Sequence, residues 1–167
     1  SMIRDDLQNS IFASVSATLF MALMQLSGYL APYAFAPALA IWASAVCAHL
    51  SLMGWFTWRF LRNFKLDQVF PTYFICYVGI LVASVTSPLF GLEALGNVLF
   101  WLGFACYPVM LVIVTWRYLT HPVPVAARPL FCIYSAPASL SIAGYLAVTP
   151  EPNVAFVSAL LIVAQAF

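Results

Sequence analysis

Charge is what this chain lacks. Only 7% of its 167 residues are Asp, Glu, Lys or Arg, and none stands between Leu7 and Trp58. That uncharged run is long enough to cross a hydrocarbon layer of roughly 30 Å twice, at about 20 residues per helix, and a water-soluble domain does not carry it. The six bases form no cluster interleaved with aromatics and the net charge is only +1, so nucleic-acid binding is excluded. Acids are missing from the apolar stretches: Asp67 falls in a loop and Glu93 in a turn. No carboxylate is therefore available within the membrane to relay a proton. The four cysteines, Cys47, Cys76, Cys106 and Cys132, each lie in an apolar stretch with no C-x-x-C spacing. They are expected as small buried thiols, with neither a disulfide framework nor a metal site. Of two histidines only His49 lies within a span, whereas a membrane haem enzyme needs axial histidines facing one another. A haem or quinone oxidoreductase is accordingly set behind transport, no cofactor is expected, and His49 is expected to hydrogen-bond a neighbouring helix or face a polar cavity. Arg4, Asp5 and Asp6 precede an apolar run too long for the h-region of a cleaved signal.

What is present is apolar: 65% of residues are hydrophobic and 16% aromatic. Apolar runs bounded by Pro, Gly or charge cover about 11–30, 36–58, 70–89, 95–118, 129–148 and 154–167. Within hydrocarbon these must be helices, because every backbone polar group needs a partner inside its own segment. They are read as one transmembrane domain over 1–167, with the sixth run too short for a crossing and expected to be cut inside a helix. Arg4, Arg59, Arg62, Lys65, Arg117 and Arg128 all fall on one side of this arrangement, and the opposite turns carry only Glu93 and Glu151. The positive-inside rule makes the basic side cytoplasmic, with the N-terminus inside.

The sequence TWRFL at 57–61 returns as TWRYL at 115–119, an offset of 58 residues. Each copy closes the basic end of an even-numbered helix, where Trp suits the interface and Arg reaches phosphates. The same shift lays Pro71 on Pro129, each expected in the first turn of an odd helix, and Trp42 on Phe100. The unit is therefore a helical hairpin repeated in one orientation. All five tryptophans stand on even helices, as expected of elements facing lipid. Odd helices carry a stripe of small or polar residues: Ser14, Thr18, Met21, Gln25 and Gly28 on the first, Thr72, Cys76, Gly79, Ala83 and Thr86 on the third. The fifth continues it more weakly with Leu130, Tyr134, Pro137, Ser141 and Gly144. Close helix packing explains such stripes. So does a conduit in which the odd helices line a pore, with hydroxyls and helix-break amides replacing part of an anion's hydration shell. Pro137 is expected to kink the fifth helix, as is Pro108 the fourth. At the inner mouth Arg59, Arg62, Lys65, Arg117 and Arg128 would raise local anion concentration, beside their ordinary role in orientation and lipid contact. A purely structural scaffold is a third reading, against which the unlike odd and even helices argue.

The parallel hairpins, SAPASLSIAGYL at 135–146 and GNVLFWLGFACYP at 96–108 resemble the tellurite-resistance/dicarboxylate transporter family, which includes bacterial TehA proteins, yeast malate and sulfite carriers and plant slow anion channels. The resemblance spans essentially the whole chain. It implies an all-α polytopic membrane protein of parallel hairpins around a central pore, of which this chain would supply an incomplete set, about the third to eighth of ten helices. It further implies passage of small inorganic or organic anions, a homotrimer with one pore per protomer, and a location in a bacterial inner membrane. A proton-coupled carrier of C4-dicarboxylates or of oxyanions such as tellurite or sulfite is the alternative. The family's pore-blocking phenylalanine lies on a ninth helix, so no residue here inherits that role.

Overall fold

The computed structural model describes residues 9–62 and 64–166, without the side chains of Leu61 and Ala126. Arg4, Asp5 and Asp6 in residues 1–8, and Phe167, lie outside the described residues. Among the described residues six helices succeed one another: α1 Ser10–Leu30, α2 Phe35–Phe60, α3 Tyr73–Phe90, α4 Glu93–Thr120, α5 Ala127–Val148 and α6 Val154–Gln165. The first five are long and apolar enough to cross a bilayer, and no strand occurs among the described residues. The chain is an all-α polytopic membrane protein.

Local chemistry sets the helix ends. The Asn9 side chain accepts from the Ile11 N–H to open α1, and Asn153 accepts from the N–H groups of Ala155 and Phe156 to open α6. Between α3 and α4 the chain reverses at Gly91, whose φ of 68° is left-handed and open to glycine without strain.

Odd and even helices differ in regularity. α2 is α-helical from Phe35 to Phe56, and α4 is α-helical from Glu93 to Thr120, through Pro108. By contrast α1 breaks at Ser16, and α3 is split into Tyr73–Val78 and Leu81–Thr86 around Gly79 and Ile80. In that break Val82 and Ala83 donate to the carbonyls of Gly79 and Ile80 at 3.1 and 2.9 Å, the tighter three-residue pattern. The first part of α5 belongs to a 3₁₀ segment that runs Val125–Tyr134, and the helix becomes α-helical only over Ala136–Val148. Two expectations are thereby corrected. Pro137 falls in the first turn of that α segment, where its missing N–H has no partner to lose, and Pro129 lies inside the 3₁₀ segment.

α3 forms the centre, with 78% of its most apolar stretch buried against 28–39% for the other four spans. It packs on α1, α2, α4 and α5. α2 and α4 seat on it through one repeated set of buried residues: Ala38, Trp42, Ala45, His49 and Phe56 on α2, and Gly96, Phe100, Gly103, Tyr107 and Val114 on α4, each pair 58 apart. Only small residues fit some of these places. A Cβ on Gly103 would lie 2.7 Å from Ile80 Cγ2, and one on Gly96 2.8 Å from the Ser87 Cβ.

Trp42 therefore departs from the lipid-facing expectation, at 1% exposure, while Trp55, Trp58, Trp101 and Trp116 are exposed. The thiols divide as well. Cys76 is buried and Cys106 half-buried, but Cys47 and Cys132 are exposed on the apolar surface, since their helix faces meet no neighbour.

Candidate functional site

Two hollows lie along the odd helices, the first between α1, α3 and α5 and the second between α1 and α3 alone. The first, about 210 Å³, is lined by Met21 of α1, Phe74, Ile75, Val78 and Gly79 of α3, and Ile133, Ala136, Pro137 and Leu140 of α5. Met21, Gly79 and Pro137 are successive members of the 58-residue repeat, so equivalent positions of three helices converge on one cavity. Gly79 makes the approach possible: a Cβ there would stand 2.7 Å from Met21 Sδ and 3.1 Å from His49 Cε1. The second hollow, about 450 Å³, is lined by Gln25, Gly28, Tyr29, Val85, Thr86 and Leu89. Gly28 and Thr86 are again equivalents.

Other members of the stripe are elsewhere. Ser14, Thr72, Cys76, Ala83, Tyr134, Ser141 and Gly144 are buried between helices and line neither hollow, and Thr18 is exposed on α1. The hydroxyls, expected as donors to an anion, are turned back on their own helices. Ser14 donates to Ser10 O at 2.7 Å, Thr18 to Val15 O at 2.7 Å, Thr86 to Val82 O at 2.8 Å and Ser141 to Pro137 O at 2.7 Å. In hydrocarbon this bond is the nearest way to satisfy an O–H, and it leaves lone pairs, not protons, for other partners. Thr72 and Ser84 instead keep buried hydroxyls with no partner.

Polar groups of the even helices complete the seam from behind. Trp42 Nε1–H donates to Thr86 Oγ1 at 2.8 Å, fixing α2 to α3. His49 is buried with Nε2 3.0 Å from the Cys76 carbonyl. A carbonyl only accepts, so Nε2 carries the proton and Nδ1 is a bare acceptor, without a partner. Its equivalent on α4, Tyr107, also has a buried hydroxyl without a partner. The His49 bond to the neighbouring α3 is one of the two environments expected of it, whereas the Trp42–Thr86 bond and the buried Tyr107 hydroxyl were missed in reading the sequence, although the 58-residue shift points to both positions.

The basic residues do not form one ring of exposed charge. Arg59, Arg62, Lys65 and Arg128 are exposed, Arg62 stacking on Trp58 at 4.4 Å. Arg117 departs from the expected mouth position: it is 2% exposed, packed against Phe70 and Tyr118. No group of three or more His, Cys, Asp or Glu able to hold a metal occurs among the described residues.

A family model described as SLAC1, voltage-dependent anion channel, matches the chain over residues 1–167. No curated protein and no solved structure matches it.

Proposed function

The chain belongs to the SLAC1 family of voltage-dependent anion channels, and on that premise we propose that small anions pass along the seam where α1, α3 and α5 meet. That the protein is an integral membrane anion channel or transporter follows from the family and its five apolar spans. The finer reading rests on one observation above all: Met21, Gly79 and Pro137, equivalent in the repeat, line a single cavity.

The apolar lining gives no fixed charge to trap an anion, so the pathway is weakly selective and binding does not hold back release. Exposed Arg59, Arg62, Lys65 and Arg128 raise the anion concentration at the basic end, which we place in the cytoplasm. Channel or uniport passage is favoured over proton coupling. Asp67 and Glu93 are exposed outside the seam, so no carboxylate of the described residues lies within it to relay a proton. Assembly as a homotrimer in a bacterial inner membrane belongs to the same proposal, and the mass of the purified complex checks it.

Current from the full-length protein in a planar bilayer tests the reading, exchanging chloride, nitrate and malate under an imposed pH gradient. The reversal potential is expected to follow the anion gradient and to ignore pH, and Gly79→Leu is expected to reduce current about tenfold or more by filling the cavity. A reversal that tracks the proton gradient favours the coupled carrier. Full current in Gly79→Leu removes the seam as the pathway.

A further inference from the structure

At the basic end of the bundle one cation is buried against rings, with two of its nitrogens unpartnered among the described residues. Arg117, in the last turn of α4, has its guanidinium carbon 4.8 Å from the Phe70 ring centre and 5.4 Å from that of Tyr118. Nε and Nη1 are sealed from solvent and have no acceptor, and the described carboxylates, Asp67, Glu93 and Glu151, are all exposed. Stacking on two rings offsets only part of the cost of removing a guanidinium from water, and a buried charge is retained where a counter-charge meets it. Arg59, its equivalent 58 residues earlier, is exposed and has no such need. With Nε and Nη1 enclosed, Nη2 is left as the nitrogen able to meet a ligand.

We propose that Arg117 is an anion-binding site, taking an oxyanion of the phosphate class at Nη2. Nη2 offers its N–H donors to such oxygens in charge-assisted bonds, and Phe70 and Tyr118 hold the guanidinium plane ready, so little side-chain freedom is lost on binding. The same chemistry could come from a phospholipid headgroup or from a free anion in solution. The site is separate from the seam between the odd helices, and it stands or falls independently of the conduction pathway.

Thermal unfolding of the purified full-length protein in an uncharged detergent tests it, with inorganic phosphate at constant ionic strength in one arm and short-chain phosphatidylglycerol in the other. A rise of about 3 °C or more near saturation is expected in one arm. Phosphate acting alone assigns a free anion, and phosphatidylglycerol acting alone assigns a headgroup. Arg117→Gln must abolish the rise and Arg59→Gln must keep it. Arg117→Met is expected to melt higher than the wild type without anion and to gain nothing on its addition, since a buried uncompensated charge is what it removes. Should neither variant fold, Arg117→Lys must raise the half-saturating concentration of the active probe about tenfold, because an ammonium cannot stack flat on the two rings that hold Nη2 in place. No rise in either arm, an equal rise in Arg117→Gln, or an unchanged half-saturation in Arg117→Lys overturns the proposal.

Discussion

The hairpin α1–α2 and the hairpin α3–α4 carry one design in two chemistries. At one level of the repeat each even helix also touches the next odd helix in the chain. In the first copy Trp42 reaches Thr86 and makes a hydrogen bond; in the second Phe100 meets Gly144, where a Cβ would lie 3.3 Å from Phe100 Cδ2. A ring with a donor faces a hydroxyl, and a ring without one faces a glycine. Ala45 and Gly103 show the same drift in size, His49 and Tyr107 in polarity. The shape of the contact is kept while its residues change together.

The copies part at their ends. After Phe56 the α2 backbone takes one π turn, Thr57–Leu61, with the Arg62 N–H donating to Thr57 O at 3.3 Å. One extra residue in a turn rotates the remainder of the helix by about 100° around its axis. α4 remains α-helical to Thr120, so Arg117 stays in line with buried Gly103, Tyr107, Met110 and Val114. Two motifs that differ only in Phe60 against Tyr118 thus leave Arg59 in solvent and Arg117 in the protein.

The largest effect is expected from emptying the shared seat. Trp42→Ala and Phe100→Ala should each cost about 3 kcal/mol, read as thermal unfolding in detergent; a large gap between them would show that the copies do not share the load. The next tests size at one level. Gly103→Ala should cost about 2 kcal/mol because the new methyl meets Ile80, while Ala45→Gly costs only about 1 kcal/mol of helix propensity. The smallest effect is the hydrogen bond peculiar to the first copy. A double-mutant cycle of Trp42→Phe and Thr86→Ala should give a coupling of about 1 kcal/mol, and simple additivity would mean the bond contributes nothing.

Much of the fold is legible in hydropathy, because a bilayer permits few answers: apolar runs of sufficient length become helices. The hairpin repeat is legible too, since TWRFL and TWRYL fix its offset. The breaks in α1, α3 and α5 are less so. Gly79 is a small residue in a sequence, and only its crowding by Met21 and His49 shows why the chain tightens there. In the stripe, Met21, Gln25, Gly28, Gly79, Thr86 and Pro137 come to the hollows, whereas the hydroxyls turn to their own carbonyls for want of water. The burial of Arg117 is not legible from its motif, because the difference from Arg59 lies in one backbone turn.

The central claim is that anions travel where Met21, Gly79 and Pro137 converge, and thiol accessibility under current recording tests it most directly. In full-length protein with Cys47, Cys76, Cys106 and Cys132 replaced by Ala, Met21→Cys and Pro137→Cys would be treated with a small anionic methanethiosulfonate. Val98→Cys and Val112→Cys, on exposed faces of α4, serve as comparison. Current blocked at positions 21 and 137 and untouched at 98 and 112 is the predicted result; current unchanged at 21 and 137 would contradict the account.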